Sequence, residues 1–306
     1  LTQVIGLPGM RQLSVESWGA PDGTPIFLLH GTPGSRCGPR PRSSLLYRLG
    51  VRLLSFDRPG YGQSTAQPGR TVADAARDVL AIADRLGLPE FGVVGRSGGG
   101  PHALACAALL PDRVISAATL VGVAPSDAED LDWFDGMTRS NVEEYAKVDA
   151  SPAAIRAELA ERAGRLRDDP ESLLRFLRPE LTGSDLRVVE DVSIRTQLTD
   201  TYAEAMRGGG QGWIDDVLAL RQPWGFELSA IKPPVLLWHG ADDRFSPVQH
   251  TRWLAAQIPG STLRVQNDAA HFTAIKILPD VLAWIKQADC SERLRVERVQ
   301  QPVLSP

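Results

Sequence analysis

The sequence predicts an α/β fold, with a mostly parallel, doubly wound sheet interrupted by a helical insertion. Three observations predict it. Short apolar runs alternate with helical patterns over the first 125 residues. The alternation stops over residues 126–230, where helix formers dominate and no convincing strand is found. It resumes from Val235 to Gln287. Strand, helix, strand is the rhythm of a parallel sheet covered by helices on both faces.

In chain order, Pro25–Leu29, Val51–Phe56, Phe91–Val94 and Val114–Val123 read as buried strands. Between the second and third lies a helix over Thr71–Leu86, with Val72, Ala75, Ala76, Val79, Ala83 and Leu86 on one face. Thr71 and Asp74 give it a capping-box-like start and Gly87 a stop. A second helix runs from about Gly98 to Leu110, before Pro111. Ala153–Leu166 and Glu171–Leu177 are helical, and Gly208-Gly209-Gly210 breaks the pattern. Val235–Trp238 and Thr262–Val265 are the later strands, with Val248–Gln257 and Phe272–Gln287 as helices. Cys290–Pro306 is open between a short strand and a disordered tail. The expected units are a body of 1–125 and 231–289, a helical lid of 126–230, and a tail of 290–306.

The chain has 306 residues, 43% hydrophobic and 23% charged, which suits one large core and excludes a disordered chain. No apolar run approaches the roughly 18 residues of a membrane span. Leu1–Met10 lacks a basic segment followed by an apolar one, so no signal peptide is expected. Cys37, Cys106 and Cys290 show no metal-ligand spacing and read as free thiols in a reducing cytoplasm. A net charge of −4 argues against nucleic acid as the main partner. That charge is unevenly spread. Residues 126–230 hold 22 acidic and 12 basic residues, and the remainder 15 and 21.

The third strand runs into Gly95-Arg96-Ser97-Gly98-Gly99 and then a helix. This is G-x-S-x-G in the context of a nucleophile elbow, where a tight turn lifts the serine oxygen clear of the sheet. A serine hydroxyl needs a base. Of five histidines, His30 and His239 precede glycine at strand ends and read as turn residues. His102 reads as packing and His250 as part of a peripheral helix. His271, between the last strand and the last helix, is the candidate base. The base needs a carboxylate. Asp242 and Asp243 both follow the Val235–Trp238 strand and either can serve, with Asp127 an outside candidate. For the oxyanion, the turn His30-Gly31-Thr32-Pro33-Gly34 offers the N–H of Thr32, since Pro33 has none, and the elbow offers that of Gly98.

HGTPGS (30–35), DRPGYGQS (57–64), GRSGGG (95–100), HGADDRFSP (239–247) and AAHF (269–272) together resemble the α/β-hydrolase-fold superfamily, in its Ser, Asp, His order. The resemblance spans nearly the whole body. It implies an α/β-hydrolase fold with a helical cap over 126–230, and its H-G-x-x-D pattern selects Asp243. It implies a serine hydrolase acting through an acyl-enzyme; the substrate itself is expected to be a carboxylic ester, lactone or thioester of a small to medium apolar molecule. No cofactor or metal is expected, nor a membrane partner, and the chain can be monomer or homodimer. Ser97 at the elbow sets aside relatives that carry Asp there. HGTPG and Ser97-Gly98 depart from the proline iminopeptidase pattern. A lyase, cyclase or C–C hydrolase and a ligand receptor are the other classes on this fold.

Trp133, Phe134, Met137 and Trp213 have two readings: glue between lid and body, or an apolar substrate pocket over Ser97. Arg36, Arg40, Arg42 and Arg96 also have two. They can select acidic substrates, or Arg96 is held in salt bridges behind the elbow while the others are solvated. With 29 Arg against 4 Lys, the chain is biased in composition, which favours the second.

Overall fold

A computed structural model describes residues 2–300, with side chains through Gln287. Eight strands form one sheet: β1 (Thr2–Gly6), β2 (Gln12–Gly19), β3 (Thr24–Leu29), β4 (Val51–Phe56), β5 (Phe91–Arg96), β6 (Val114–Leu120), β7 (Val235–Gly240) and β8 (Thr262–Gln266). Their order is β1-β2-β4-β3-β5-β6-β7-β8. The pairs β1–β2 and β2–β4 are antiparallel and all others parallel. The hairpin β1–β2 was not expected from the sequence. Its first strand is mostly exposed, so it carries no apolar run.

Helices α1 (Ser43–Leu49) and α11 (Ala274–Gln300) cover one face; α2 (Asp74–Arg85), α3 (Gly99–Leu109) and α10 (Val248–Gln257) cover the other. The strands show why both faces need cover. Ile26 and Leu28 join the α1–α11 side of the core, while Phe27 and Leu29 join the α2–α3 side. Period-two alternation therefore buries Ile26 through Leu29 on alternate faces, and the strand reads as a continuous apolar run. The Thr71–Asp74 contact forms, with the Thr71 N–H donating to the Asp74 carboxylate at 2.7 Å, and the helix itself begins at Asp74.

Between β6 and β7 run only helices: α4 (Arg139–Ala150), α5 (Pro152–Asp168), α6 (Ser172–Leu177), α7 (Gly183–Val189), α8 (Val192–Ala205) and α9 (Gln211–Leu220), with short 3₁₀ turns. Part of the segment expected as a tail lies on α11, and 301–306 fall outside the described residues. Among the described residues no helix is long and apolar enough to cross a membrane.

Candidate active site

Parallel strands place their carboxyl ends at one edge, where open α/β sheets gather ligand-binding residues. Here β3 delivers the His30–Gly34 turn, β5 delivers Ser97, β7 delivers Asp243 and the loop after β8 delivers His271. Ser97 has φ +54°, a left-handed conformation rare for a residue with a side chain. Two neighbouring glycines make that turn possible. A Cβ on Gly95 would lie 2.1 Å from the Gly99 carbonyl oxygen, and one on Gly99 2.2 Å from that of Leu29.

The expected residues come together in one hydrogen-bonded chain. Ser97 Oγ lies 3.0 Å from His271 Nε2, and His271 Nδ1 lies 2.8 Å from Asp243 Oδ2. A carboxylate only accepts, so Nδ1 carries the proton and Nε2 is left to accept from the serine. Asp243 Oδ1 also accepts from the N–H of Phe245 (2.8 Å) and of Ser246 (3.1 Å). Burial alone would raise the Asp243 pKa. The His271 charge and hydrogen bonds from His239 and His271 outweigh it and hold the carboxyl well below its usual range. Asp242 and Asp127 are exposed and bond to no histidine. Thr32 and Gly98 both line the cavity in front of Ser97 and stand close together. A Cβ on Gly98 would lie 3.4 Å from the Thr32 nitrogen. The peptides Thr32-Pro33 and Gly38-Pro39 are cis.

The other histidines are buried and partnered. The Arg58 N–H donates to His30 Nε2 (3.3 Å) while His30 Nδ1 meets the Gly31 carbonyl (2.8 Å). Burial, with Arg58 next, lowers the His30 pKa, so the ring is neutral. His250 is not peripheral, contrary to expectation. It accepts from the Ala124 N–H at 3.1 Å and donates to the Trp133 carbonyl at 3.0 Å, fastening the start of the inserted helices to the sheet.

A cavity of about 110 Å³ opens over Ser97. Of the four residues considered for its walls, Trp213 lines it; Trp133, Phe134 and Met137 do not. The Trp133 indole donates to the Ala124 carbonyl at 2.9 Å and packs edge-on against Tyr145 and His250. Phe134 packs edge-on against Trp133, and the Arg221 guanidinium covers both rings. These residues are glue. The apolar walls come instead from Leu173, Phe176, Leu177, Phe245 and Phe272.

Sequence reasoning missed two carboxylates from the inserted helices. Asp185 on α7 accepts from the Phe272 N–H at 2.8 Å, bracing the residue next to His271. Asp216 on α9 accepts from Thr32 Oγ1 (2.7 Å), Arg70 (2.6 Å), the Tyr61 hydroxyl (2.9 Å) and Arg58. Arg58 in turn donates to the carbonyls of His30 and Gly31. The turn carrying Thr32 is thus held from behind by a fully buried ion cluster. Burial would raise the Asp216 pKa, but Arg58 and Arg70 prevail and hold it far below normal. The available signal was an Asp215-Asp216 pair inside an otherwise apolar helix. A surface role for Arg36 is also overturned. It is buried and ion-paired with Asp57 and, at 2.7 Å, with Glu204. Among the described residues no group of three or more His, Cys, Asp and Glu is placed to hold a metal ion.

A sequence profile described as the alpha/beta hydrolase fold matches residues 24–276. The chain is similar to a pimeloyl-[acyl-carrier protein] methyl ester esterase from Chromobacterium violaceum, at 32% identity over 85% of this chain and 91% of that one. It is 28% identical, over 77% of its length, to a dihydrolipoyllysine-residue acetyltransferase component of an acetoin cleaving system from Cupriavidus necator, of which it spans 55%. Among solved structures it resembles an esterase from Exiguobacterium antarcticum, with TM-score 0.70, 23% identity and coverage of 94% of this chain and 100% of that one.

Proposed function

Because the chain belongs to the alpha/beta hydrolase fold family, we propose that it is a cofactor-independent serine hydrolase cleaving a carboxylic ester, lactone or thioester. The observation that carries this reading is the unbroken chain Ser97–His271–Asp243, with Ser97 and His271 lining a cavity. His271 Nε2 takes the Ser97 proton as Oγ attacks the carbonyl carbon. Negative charge builds on the carbonyl oxygen and is met by the N–H groups of Thr32 and Gly98, behind which stands the N-terminus of α3. The intermediate collapses, the alcohol or thiol leaves with the proton from His271, and Ser97 is acylated. Water, deprotonated by His271, attacks the acyl carbon and returns the free acid and Ser97. Asp243 stays ionised throughout and stabilises the imidazolium at each step.

Helices α4–α9 act as the lid over this site, and the apolar walls accept a small to medium hydrocarbon portion of the substrate. The likeness to esterases supports the reaction class. The test is turnover of a panel of aryl esters, lactones and prolyl amides by wild type and Ser97→Ala. Wild type is expected to turn over esters or lactones, with loss of about 10⁴-fold or more in Ser97→Ala. Ester turnover surviving in Ser97→Ala would sink the assignment.

A further inference from the structure

The buried arginines Arg36, Arg58 and Arg70 and the cavity-lining Arg162 are matched by carboxylates. Arg36 meets Asp57 and Glu204, Arg58 and Arg70 meet Asp216, and Arg162 meets Glu144 and Glu158. Arg96 is the exception. It closes β5 immediately before Ser97 and lines the same cavity, yet among the described residues it has neither a salt bridge nor a side-chain hydrogen bond. The expectation that salt bridges hold it behind the elbow is therefore not met. Its guanidinium nitrogens are not sealed off in the protein, so they are reached from the cavity. Burial lowers its pKa, with Tyr202 on α8 pulling the other way. Tyr202 lines the cavity too, and its hydroxyl has no hydrogen-bond partner among the described residues.

A guanidinium at a cavity wall with no acceptor in the protein leaves its N–H donors to whatever fills the cavity. Beside a candidate nucleophile, such a group is matched by what the guest brings. We propose that Arg96, with the Tyr202 hydroxyl, is a carboxylate-binding subsite, so that the preferred substrate is an ester or lactone carrying a free carboxylate. Charge matching favours a single negative charge. The cavity's other cation, Arg162, is already paired with Glu144 at 3.1 Å. A guanidinium fork fits a planar carboxylate with two parallel hydrogen bonds, and the phenol adds a third donor. The apolar walls then enclose the chain linking that carboxylate to the scissile carbonyl.

The turnover arm of the test rests on the hydrolase reading; the binding arm does not. Two matched pairs place the charge on either side of the ester: 4-nitrophenyl hydrogen adipate against its methyl ester, and 4-acetoxybenzoate against methyl 4-acetoxybenzoate. The readout is the ratio of kcat/KM, anion over neutral, in wild type, Arg96→Gln, Arg96→Lys and Tyr202→Phe. A ratio cancels any general loss of activity in a variant. In at least one pair wild type is expected to favour the anion, and Arg96→Gln to lower the ratio about 10- to 100-fold. Arg96→Lys should restore part of it and Tyr202→Phe lower it less. Independently, Ser97→Ala protein titrated calorimetrically with monomethyl adipate and dimethyl adipate should prefer the monoanion. A ratio unchanged by Arg96→Gln in both pairs would overturn the subsite, as would no preference for the monoanion in the titration. If neither pair turned over, the hydrolase reading would fall, and the titration alone would decide the subsite.

Discussion

Arg58 lies just after β4 and Arg96 ends β5, the two strands that flank β3, and the turn at the end of β3 lies between them. Arg58 is 1% exposed and meets the Asp216 carboxylate, two backbone carbonyls and Thr32. Arg96 has cavity on one side and no acceptor among the described residues. The difference teaches how to tell a structural arginine from a recognition arginine. A charge whose partners are all supplied by the fold holds the fold together. A charge left without a partner at the edge of a cavity is addressed to a ligand. The first kind answers to stability measurements, the second to substrate preference.

The largest way to break this comparison is Asp216→Ala, which leaves Arg58 and Arg70 buried without a carboxylate. A loss of about 3–5 kcal/mol in unfolding free energy is expected from denaturant titration. Ester turnover should fall with it, because the turn carrying Thr32 loses its brace. A loss below about 1 kcal/mol would show that the cluster is not what holds the turn. A sharper contrast comes from methionine at each arginine. Arg58→Met should unfold at clearly lower temperature than wild type, because Asp216 is left in place. Arg96→Met should match wild type or exceed it slightly, because an unpaired charge has been removed. Equal destabilisation by both would dissolve the distinction.

A smaller effect concerns Glu144, the carboxylate that lines the same cavity. Burial pushes its pKa up to about 7, against the pull of Arg162. The folded protein therefore binds a proton that the unfolded chain has released between about pH 4.5 and 7. Stability from this group is fully present below the lower value and declines as pH rises towards 7. The melting temperature of wild type should carry that downward slope, and Glu144→Gln should flatten it. An identical slope in both proteins would remove Glu144 from the account.

Much of the body was readable because its demands are local. Parallel strands buried on both faces appear as apolar runs, and the elbow needs glycines that tolerate close backbone approach. Ser97 and His271 were readable from strand-end position and motif, while only the family resemblance separated Asp243 from Asp242, and the three meet in the expected order. The hairpin β1–β2 was not readable, because a half-exposed edge strand such as Thr2–Gly6 has no apolar run to detect. Nor could aromatic content separate Trp213, which lines the cavity, from Trp133, which does not. Both sit in helix-rich sequence, and which way each points is decided by packing. The roles of Arg58 and Arg96 were hidden for a related reason. Asp216 lies 158 positions from Arg58, and the missing partner of Arg96 is a property of three-dimensional surroundings alone.

Whether Ser97 is a nucleophile activated by His271 can be read with a fluorophosphonate probe and mass spectrometry. One adduct per chain is expected, mapped to the peptide carrying Ser97, with labelling strongly slowed in His271→Ala. No adduct on the folded wild-type protein, or an adduct on any other residue, would contradict it.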